Sequence, residues 1–490
     1  MQEKRQVFHT HLGNTLVVVL CFAMGFPLFA ANDRPNVLFI AVDDLRPALH
    51  CYGVEQAVTP NMDLLADSGR LFMNHYVQVP TCGASRCSLM TGRFPRTAAE
   101  CKNSACSDLQ KVKADLPLTI PGLFRRNGYR TVCIGKISHS GNGMHGKQPE
   151  FPDAWDELPT PEGMWEGHGP ELLHAYSGGR MRGDDGYMPL WEFPDVKDNE
   201  LPDGMLADTA VERLKAFAAS GEPFFMGVGF YKPHLPFVAP KKYRDLYDGV
   251  AFPSPNGMKR GDTRKAGKSN EFYKYHAPFD RPAEGETMAE EDAQEARRAY
   301  HACVSYADAQ VGRVLQALEA TGLASNTIVV LWGDHGWHLG ENNAWAKHTP
   351  LDKSLRSALI VRMPGQKAPG EASDSLAASV DLYPTLVDLC SLEKKQTAMP
   401  LDGVSLRPIL DDPKQMVRND ILSFWYSTGI TDGRYRLIVS GEGNHELYDH
   451  KNDPGELHNL AGNQQETVDR LTAQLKKAYP QVFVSSKGTN

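Results

Sequence analysis

The sequence predicts an α/β fold in which a mostly parallel sheet is flanked by helices. Short apolar runs typical of buried strands alternate with helical patterns over most of the chain. Polar residues follow several of these runs directly, where parallel sheets place ligand-binding groups. A length of 490 residues with 41% hydrophobic content can bury a large core. We therefore expect one large domain followed by a smaller one.

The predicted elements alternate as far as about residue 390. Strands are expected at residues 36–42, 71–76, 129–134, 224–230, 327–332 and 359–362. Helices are expected at residues 62–66, 84–91, 120–126, 207–218, 290–320 and 380–389. Two long stretches, 140–205 and 250–290, are rich in Gly, Pro and charge. Loops of this length usually form functional rims or lids.

After about residue 400 the pattern changes to short strands at 421–426 and 435–439 and a helix at 466–478. This predicts a small α+β C-terminal subdomain. The chain is accordingly divided into a signal peptide at 1–31, a catalytic domain at 32–400 and the C-terminal subdomain at 401–490.

The N-terminal segment has the features of a signal peptide, with Lys4 and Arg5 before an apolar run at 16–30. It predicts a secreted or periplasmic protein; a buried N-terminal helix is the alternative. The run is short for a stable membrane span, and no later stretch is long and apolar enough for one. A net charge of -8 and a pI near 6.1 argue against nucleic-acid binding. A site for an anion must therefore be made positive locally.

The nine cysteines have no zinc-ribbon spacing. Cys101 and Cys106 are close enough in sequence to form a disulfide in an oxidising compartment, although spacing alone does not establish one. Buried free thiols are the favoured interpretation for Cys133, Cys303 and Cys390.

Two pairs of metal-ligand residues each follow a predicted strand. Asp43 and Asp44 come after the first strand, and Asp334 and His335 after the strand at 327–332. Carboxylate oxygens suit Ca²⁺ or Mg²⁺. Because parallel strands end at the same sheet edge, the two pairs are expected to converge on one ion. Two unrelated solvated turns are the alternative.

Cationic and titratable residues follow other strands. Cys82 and Arg86 lie four residues apart at the start of a predicted helix, whose N-terminus favours an anion. A helix cap with a surface arginine is the alternative. The remaining residues of this kind are Lys136, His139, Lys232, His234 and Lys347. Each lysine alone is typical of a solvated surface, but the set suits transfer of a sulfate or phosphate group beside a cation.

Residues 82–86, Cys-Gly-Ala-Ser-Arg, with Thr-Gly-Arg at 91–93, resemble the signature of the type I formylglycine-dependent sulfatases. The resemblance covers nearly the whole mature chain. Within the family it is strongest to the iduronate-2-sulfatases, through motifs at residues 43–47, 231–234, 334–337 and 345–347. Ala84 stands where proline is commoner, which the family tolerates.

The resemblance implies an alkaline-phosphatase-like fold, one Ca²⁺ and conversion of Cys82 to formylglycine by a maturation enzyme. The implied metal ligands are Asp43, Asp44, Asp334, His335 and the modified Cys82. Arg86 would fix the formylglycine. The sulfate and the leaving oxygen would be surrounded by Lys136, His139, His234 and Lys347, with Lys232 and Trp337 as further candidates.

The implied activity is hydrolysis of sulfate esters of saccharides, with 2-O-sulfated uronate, a glycosaminoglycan unit, as the first substrate. One hydroxyl of the formylglycine hydrate would attack sulfur, with His234 or Lys347 assisting the leaving oxygen. His139 would then take the proton of the second hydroxyl. The substrate carboxylate would need a further cation, for which Lys232, Arg46 and His348 are candidates.

Two other functions compete with this one. A phosphatase or phosphodiesterase of the same superfamily would use Ser or Thr with two zinc ions and more histidines. A non-catalytic sulfated-glycan-binding protein would keep Cys82 as a thiol.

Overall fold

A computed structural model describes residues 34–111, 117–139, 151, 153–159, 170–255, 269–280, 286–393, 400–441 and 444–480. The predicted signal peptide lies outside these residues. Within them, no helix combines the length and the apolar character that crossing a membrane requires.

The strands run in chain order as follows: β1 (Asn36–Val42), β2 (Arg70–Tyr76), β3 (Arg130–Gly135), β4 (Trp191–Glu192), β5 (Phe224–Phe230), β6 (Phe237–Val238), β7 (Thr327–Gly333), β8 (His338–Leu339), β9 (Trp345–Ala346), β10 (Leu359–Arg362), β11 (Ala372–Ala378), β12 (Ile421–Phe424), β13 (Ser427–Thr431), β14 (Tyr435–Ser440) and β15 (His445–Asp449). The α-helices are α1 (Pro60–Ser68), α2 (Cys82–Thr91), α3 (Ala105–Lys111), α4 (Ile120–Arg126), α5 (Pro202–Ser220), α6 (Lys241–Asp245), α7 (Glu290–Ala320), α8 (Asp352–Leu355), α9 (Leu382–Leu389), α10 (Arg407–Asp411) and α11 (Gln465–Ala478).

The main sheet has seven strands in the order β11-β2-β10-β7-β1-β5-β3. All pairs are parallel except those of β10, which runs antiparallel to β7 and β2. The central strands β1, β5 and β7 are buried along their whole length. Near-continuous apolar runs of this kind are expected where helices cover both faces of a sheet. The predicted mostly parallel α/β fold is therefore confirmed.

Strand β1 contributes alternately to two hydrophobic cores. Val37, Phe39 and Ala41 pack into the core that also receives α2, α4 and α9. Leu38, Ile40 and Val42 pack into the core that receives α1, α5 and α7. This alternation follows from the two-residue period of a strand and fixes the register of the sheet.

The register brings the carboxyl ends of three strands to one level. Val42 pairs with Phe230 on one side and with Gly333 on the other. The residues that follow β1, β5 and β7 therefore emerge together at one sheet edge, which is where parallel sheets bind ligands.

The C-terminal region forms an antiparallel sheet of order β12-β13-β14-β15, covered by α11. Its residues Leu422, Leu447 and Leu475 belong to the same core as α2 and α9. The predicted α+β character of this region is confirmed, whereas the domain boundary at residue 400 stays a prediction.

Most element boundaries differ from the predicted ones by a few residues. The largest difference is α5, which begins at Pro202 instead of residue 207. Asp203 in its first turn accepts hydrogen bonds from the backbone N–H groups of Tyr231 and Lys232, both 2.8 Å, which ties this extra turn to the end of β5. Cys101 and Cys106 are not joined by the disulfide that their spacing allows.

Candidate active site

Two adjacent carboxylates follow β1 at the sheet edge. Asp43 and Asp44 are both fully buried. Asp44 has a positive φ of 59°, and its backbone N–H donates to Asp334 Oδ1 at 2.9 Å. The Tyr300 hydroxyl donates to the Asp44 carbonyl oxygen at 2.8 Å. The ends of β1 and β7 are thus joined directly, as the two predicted ligand pairs require.

Cys82 is the first residue of α2 and is only 1% exposed. Its Sγ lies 3.2 Å from His335 Nε2 and 3.2 Å from Lys347 Nζ. The next residue must be glycine, because a Cβ on Gly83 would lie 2.1 Å from the carbonyl oxygen of Asn103. This close packing fixes the start of the helix and with it the position of the thiol.

Four residues place potential metal-ligand atoms within 4.8 Å of one another, namely Asp43, Asp44, Cys82 and His335. Asp44 Oδ2 is buried and has no hydrogen-bond partner among the described residues. Burial raises the pKa of Asp44 to about 7, although Lys347 and His335 oppose the shift. A cation bound here would give this oxygen a partner, so the donor set fits a divalent ion that prefers hard or borderline ligands.

Asp334 lies beside this group, with Oδ1 3.6 Å from His335 Nε2. Its Oδ2 accepts a 2.9 Å hydrogen bond from Arg86 Nε. Arg86 is fully buried, and its Nη2 lies 3.3 Å from Asp43 Oδ1. Arg86 therefore contacts two carboxylates of the proposed metal ligands from its place on α2, four residues after Cys82.

Lys136 and His139 follow β3 on the same side. Lys136 Nζ is 2.5 Å from Asp43 Oδ2. Burial alone would raise the pKa of Asp43. The pKa is nevertheless held well below its usual range by the positive charges of Lys136, His234 and Arg86. Burial and the charge of Lys136 lower the pKa of His139 well below that of a free imidazole. His139 is therefore neutral at neutral pH.

Lys347 lies between two strained residues. Its neighbours Ala346 and His348 have positive φ angles of 77° and 71°, which non-glycine residues rarely adopt. Lys347 Nζ lies 2.8 Å from Asp44 Oδ1 and 5.4 Å from the ring centre of Trp337. Backbone strain of this type is common where a structure must aim one side chain at a site.

Glu271 belongs to the site and was not among the residues predicted from the sequence. Its Oε1 lies 3.2 Å from His234 Nε2, and its Oε2 lies 3.3 Å from Lys347 Nζ. Burial alone would raise the pKa of Glu271, but Lys347 and His234 hold this pKa well below its usual range. The only sequence signal was the position of Glu271 in the long loop at 250–290, which has no periodic pattern.

The three candidates for a substrate carboxylate partner are engaged elsewhere. Lys232 Nζ donates to the carbonyl oxygens of Leu173, His234 and Pro236. Arg46 Nη1 pairs with Glu341 Oε1 at 2.8 Å. Burial lowers the pKa of His348 to about 3, so its ring is neutral. Trp337 is fully buried and contacts Lys347 through its ring face.

Comparison with known proteins identifies the family. Residues 35–392 match the sulfatase family model, and residues 333–483 match the model of the C-terminal part of N-sulphoglucosamine sulphohydrolase. The chain belongs to the sulfatase family. It is therefore a sulfuric ester hydrolase, which confirms the prediction from the Cys82–Arg93 signature.

Curated sulfatases are similar over most of this chain. The iduronate 2-sulfatase of Mus musculus is 32% identical over 423 residues, covering 79% of this chain and 73% of that protein. The choline-sulfatase of Rhizobium meliloti (strain 1021) is 29% identical over 460 residues, covering 90% and 85% of the two chains.

Solved structures show the same fold at low sequence identity. A phosphonate monoester hydrolase of Agrobacterium radiobacter has a TM-score of 0.70 at 21% identity, covering 91% of this chain and 96% of that one. A 2-O GAG sulfatase has a TM-score of 0.64 at 23% identity, covering 91% and 92%. These likenesses support the alkaline-phosphatase-like fold.

Proposed function

We propose that this sulfatase acts on sulfated saccharides, with 2-O-sulfated uronate as its substrate, and that it uses one Ca²⁺ and a formylglycine made from Cys82. The observation that carries the chemistry is the position of Cys82 Sγ, which is 3.2 Å from both His335 Nε2 and Lys347 Nζ within the buried carboxylate cluster. A residue placed there can meet a sulfate group that is held by cations on several sides.

The metal would be held by Asp43, Asp44, His335 and residue 82, whose ligand atoms cluster, and by Asp334 beside them. When bound, Ca²⁺ would neutralise the carboxylates and polarise a sulfate oxygen. Oxygen-rich ligand sets favour Ca²⁺, and residue 82 would add an oxygen once its sulfur is replaced.

The formylglycine hydrate would supply a first hydroxyl for attack on sulfur and a second for release of sulfate. Lys136 and Lys347 would bind the sulfate oxygens, since both ammonium groups already face the cluster. The S–O bond to the sugar breaks, and the leaving oxygen takes a proton from His234 or Lys347. His139, which follows β3 on this side of the site, would accept the proton of the second hydroxyl, while the C–O bond to the sulfate ester breaks, sulfate leaves and the aldehyde is restored.

The modification of Cys82 is tested by mass spectrometry of its tryptic peptide after expression with a formylglycine-generating enzyme. We expect formylglycine at residue 82 in active protein. Cys82→Ala should abolish turnover, and Cys82→Ser should leave little, because one hydroxyl can attack but no second one can expel sulfate. Cys87→Ala is the matched control, since Cys87 is also buried on α2. An unmodified thiol in fully active enzyme contradicts the proposal.

The uronate assignment rests on the similarity to iduronate 2-sulfatases of mouse and human, both 32% identical. The substrate carboxylate needs a cation other than Lys232, Arg46 and His348. Lys274 is exposed three residues after Glu271, and its charge contributes to lowering the pKa of His348. Lys274 is therefore an exposed lysine whose charge acts on His348, and it is the partner we assign to the carboxylate.

A substrate panel tests this assignment. Sulfate release is measured from a 2-O-sulfated uronate disaccharide, its methyl ester, a 6-O-sulfated hexosamine and an aryl sulfate. We expect the free uronate to be fastest, and Lys274→Met to reduce its advantage over the methyl ester about tenfold. Lys215→Met, at another exposed lysine, is the control. Faster turnover of the hexosamine, or no loss on esterification, contradicts the uronate assignment and leaves the sulfatase chemistry intact.

The location of the protein is a separate proposal. The charged N-terminus and apolar run at 16–30 support export and cleavage near Ala31. N-terminal sequencing of protein from the culture medium or periplasm tests it, and an intact N-terminus on cytoplasmic protein contradicts it.

A further inference from the structure

A hairpin turn of the C-terminal sheet carries two aromatic residues. Strand β12 ends at Phe424 and β13 begins at Ser427, which leaves Trp425 and Tyr426 as the turn. Tyr426 has a φ of 45°. Turn positions with positive φ normally hold Gly, Asn or Asp, so a tyrosine there is strained. Strained residues of this kind cluster at ligand-binding sites.

Tyr426 is 86% exposed, which makes it an unusually open aromatic side chain. Its ring meets Trp425 edge-on, with centroids 4.9 Å apart and an angle of 80°. Trp425 in turn stacks on the His348 ring at 5.0 Å and 14°. The exposed ring is thus the outer member of a row of three rings.

The inner end of this row contacts the residue that precedes Cys82. His348 directly follows Lys347, and its Nε2 lies 3.1 Å from the hydroxyl of Thr81, the residue before Cys82. His348 Nδ1 lies 3.3 Å from the hydroxyl of Ser269, two residues before Glu271. His348 therefore joins the start of α2, the loop that carries Glu271 and the aromatic turn into one wall.

The same wall carries a carboxylate on the leaving-group side. Glu271 faces His234 and Lys347, the two residues assigned to the leaving oxygen, and its side chain is 13% exposed. Pyranose rings offer hydroxyls that donate to carboxylates and flat C–H faces that pack on aromatic rings. A carboxylate next to the reacting oxygen and an exposed aromatic ring further out match these two features.

We propose that this wall is a saccharide subsite, in which Glu271 accepts a hydrogen bond from a hydroxyl of the sulfated ring and Tyr426 stacks on the adjoining ring. The proposal rests on saccharide sulfates being the substrates. It assigns the sulfated ring to the Glu271 end, because Glu271 contacts His234 and Lys347 directly. It assigns the second ring to the Tyr426 end, which is three side-chain contacts from Thr81, the residue before Cys82.

The stacking role is tested with Tyr426→Ala and a pair of substrates, a sulfated disaccharide and the corresponding sulfated monosaccharide. The ratio of their kcat/KM values should fall about tenfold, mainly through KM for the disaccharide. Tyr426→Trp should restore the ratio. Leu64→Ala, at a residue that is 66% exposed on α1, should not change it. An unchanged ratio in Tyr426→Ala overturns the stacking role.

The hydroxyl role is tested with Glu271→Gln on the sulfated monosaccharide and an aryl sulfate, which has no neighbouring hydroxyl. Loss of kcat/KM on the sugar should exceed the loss on the aryl sulfate about tenfold, because a charge-assisted hydrogen bond is removed only from the sugar. Equal losses on both substrates would make Glu271 a positioning residue for His234 and Lys347 and overturn the hydroxyl role.

The wild-type enzyme separates failure of this proposal from failure of the proposed function. If it hydrolyses the aryl sulfate but no saccharide sulfate, the saccharide assignment and the subsite both fail. If it hydrolyses saccharide sulfates while both variants keep the wild-type ratios, only the subsite fails.

Discussion

Both carboxylate oxygens of Asp334 accept hydrogen bonds from other residues of the site. One oxygen accepts from the Asp44 backbone N–H, and the other accepts from Arg86. Both neighbours are donors, so the NH₂ group of an asparagine at position 334 would face either the Asp44 backbone N–H or the Arg86 guanidinium. Removing one partner from a buried charged group is far more costly than the net energy of the pair suggests.

We therefore expect Asp334→Asn to lose bound metal and to reduce kcat/KM at least about a hundredfold. Elemental analysis of purified protein and sulfate release measure the two effects together. Asp308→Asn is the matched control, since Asp308 is also buried but accepts from Asn61 and Met62. It should lower stability while the metal stays bound. Stoichiometric zinc in the wild-type protein would contradict the calcium proposal.

Site residues could be predicted where they follow a buried strand. Asp43, Asp44, Asp334 and His335 were found because the ends of parallel strands meet at one edge. Glu271 could not be found in this way, since it follows no predicted strand and lies in a stretch without a periodic pattern. The engagement of Lys232 by three carbonyl oxygens was equally hidden, because those acceptors come from two separate segments.

At the scale of elements, β3 and β5 approach each other through paired glycines. Gly135 lies opposite Gly229 in the register. A Cβ on Gly229 would lie 2.0 Å from the Lys136 carbonyl oxygen and 2.6 Å from its nitrogen. The absence of a side chain lets the segment after β3 bend over the end of β5, which places Lys136 Nζ at Asp43.

Gly229→Ala should therefore lower the free energy of unfolding by about 2–3 kcal/mol, because the new methyl group meets backbone that cannot rotate away. It should also lower kcat by moving Lys136. Urea unfolding and sulfate release measure these effects. Gly462→Ala is the control, since a Cβ there would meet nothing within 4 Å. A stable Gly229→Ala variant with wild-type kcat would contradict this account.

The order of the elements was more predictable than their pairing. Apolar runs in the sequence predicted all the central strands, because a short run of this kind is normally buried in a sheet. The antiparallel direction of β10 was not predicted, because strand direction depends on the path of the connection before it. The aromatic turn at Trp425 and Tyr426 was included in a predicted strand, since aromatic residues favour strands and the strain at Tyr426 has no sequence signal.

At the scale of the whole molecule, a buried ion cluster joins the two sheets. Arg436 of β14 is 1% exposed and lies 3.0 Å from Glu456 Oε1 and 3.4 Å from Asp352 Oδ1. Asp352 begins α8, five residues after Lys347, and its other contacts include a 2.9 Å hydrogen bond from the Tyr76 hydroxyl of β2. Glu456 Oε2 accepts from the Asp352 backbone N–H at 2.9 Å. The C-terminal sheet therefore supports the segment that carries Lys347.

Arg436→Met tests whether the two sheets unfold together. It leaves Asp352 and Glu456 buried without their guanidinium, so we expect a loss of about 3–5 kcal/mol in the free energy of unfolding. Arg434→Met is the matched control on the neighbouring pair with Asp449, where the arginine is 51% exposed and solvent screens the pair, so we expect little change in stability. Tryptophan fluorescence and residual sulfate release are followed through the same urea series.

The two probes should report one shared transition in both variants, shifted to lower urea concentration only in Arg436→Met.

The dependence of stability on acidic pH gives a second test of the cluster. Burial alone would raise the pKa of Glu456, but His450 and Arg436 keep this pKa below its usual range. The charged cluster therefore adds stability at neutral pH, and this contribution is lost as the pH falls through the acidic range. Arg436→Met should therefore lose stability less steeply on acidification than the wild type. Separate transitions, with activity surviving the first, would show instead that the C-terminal sheet unfolds without disturbing Lys347.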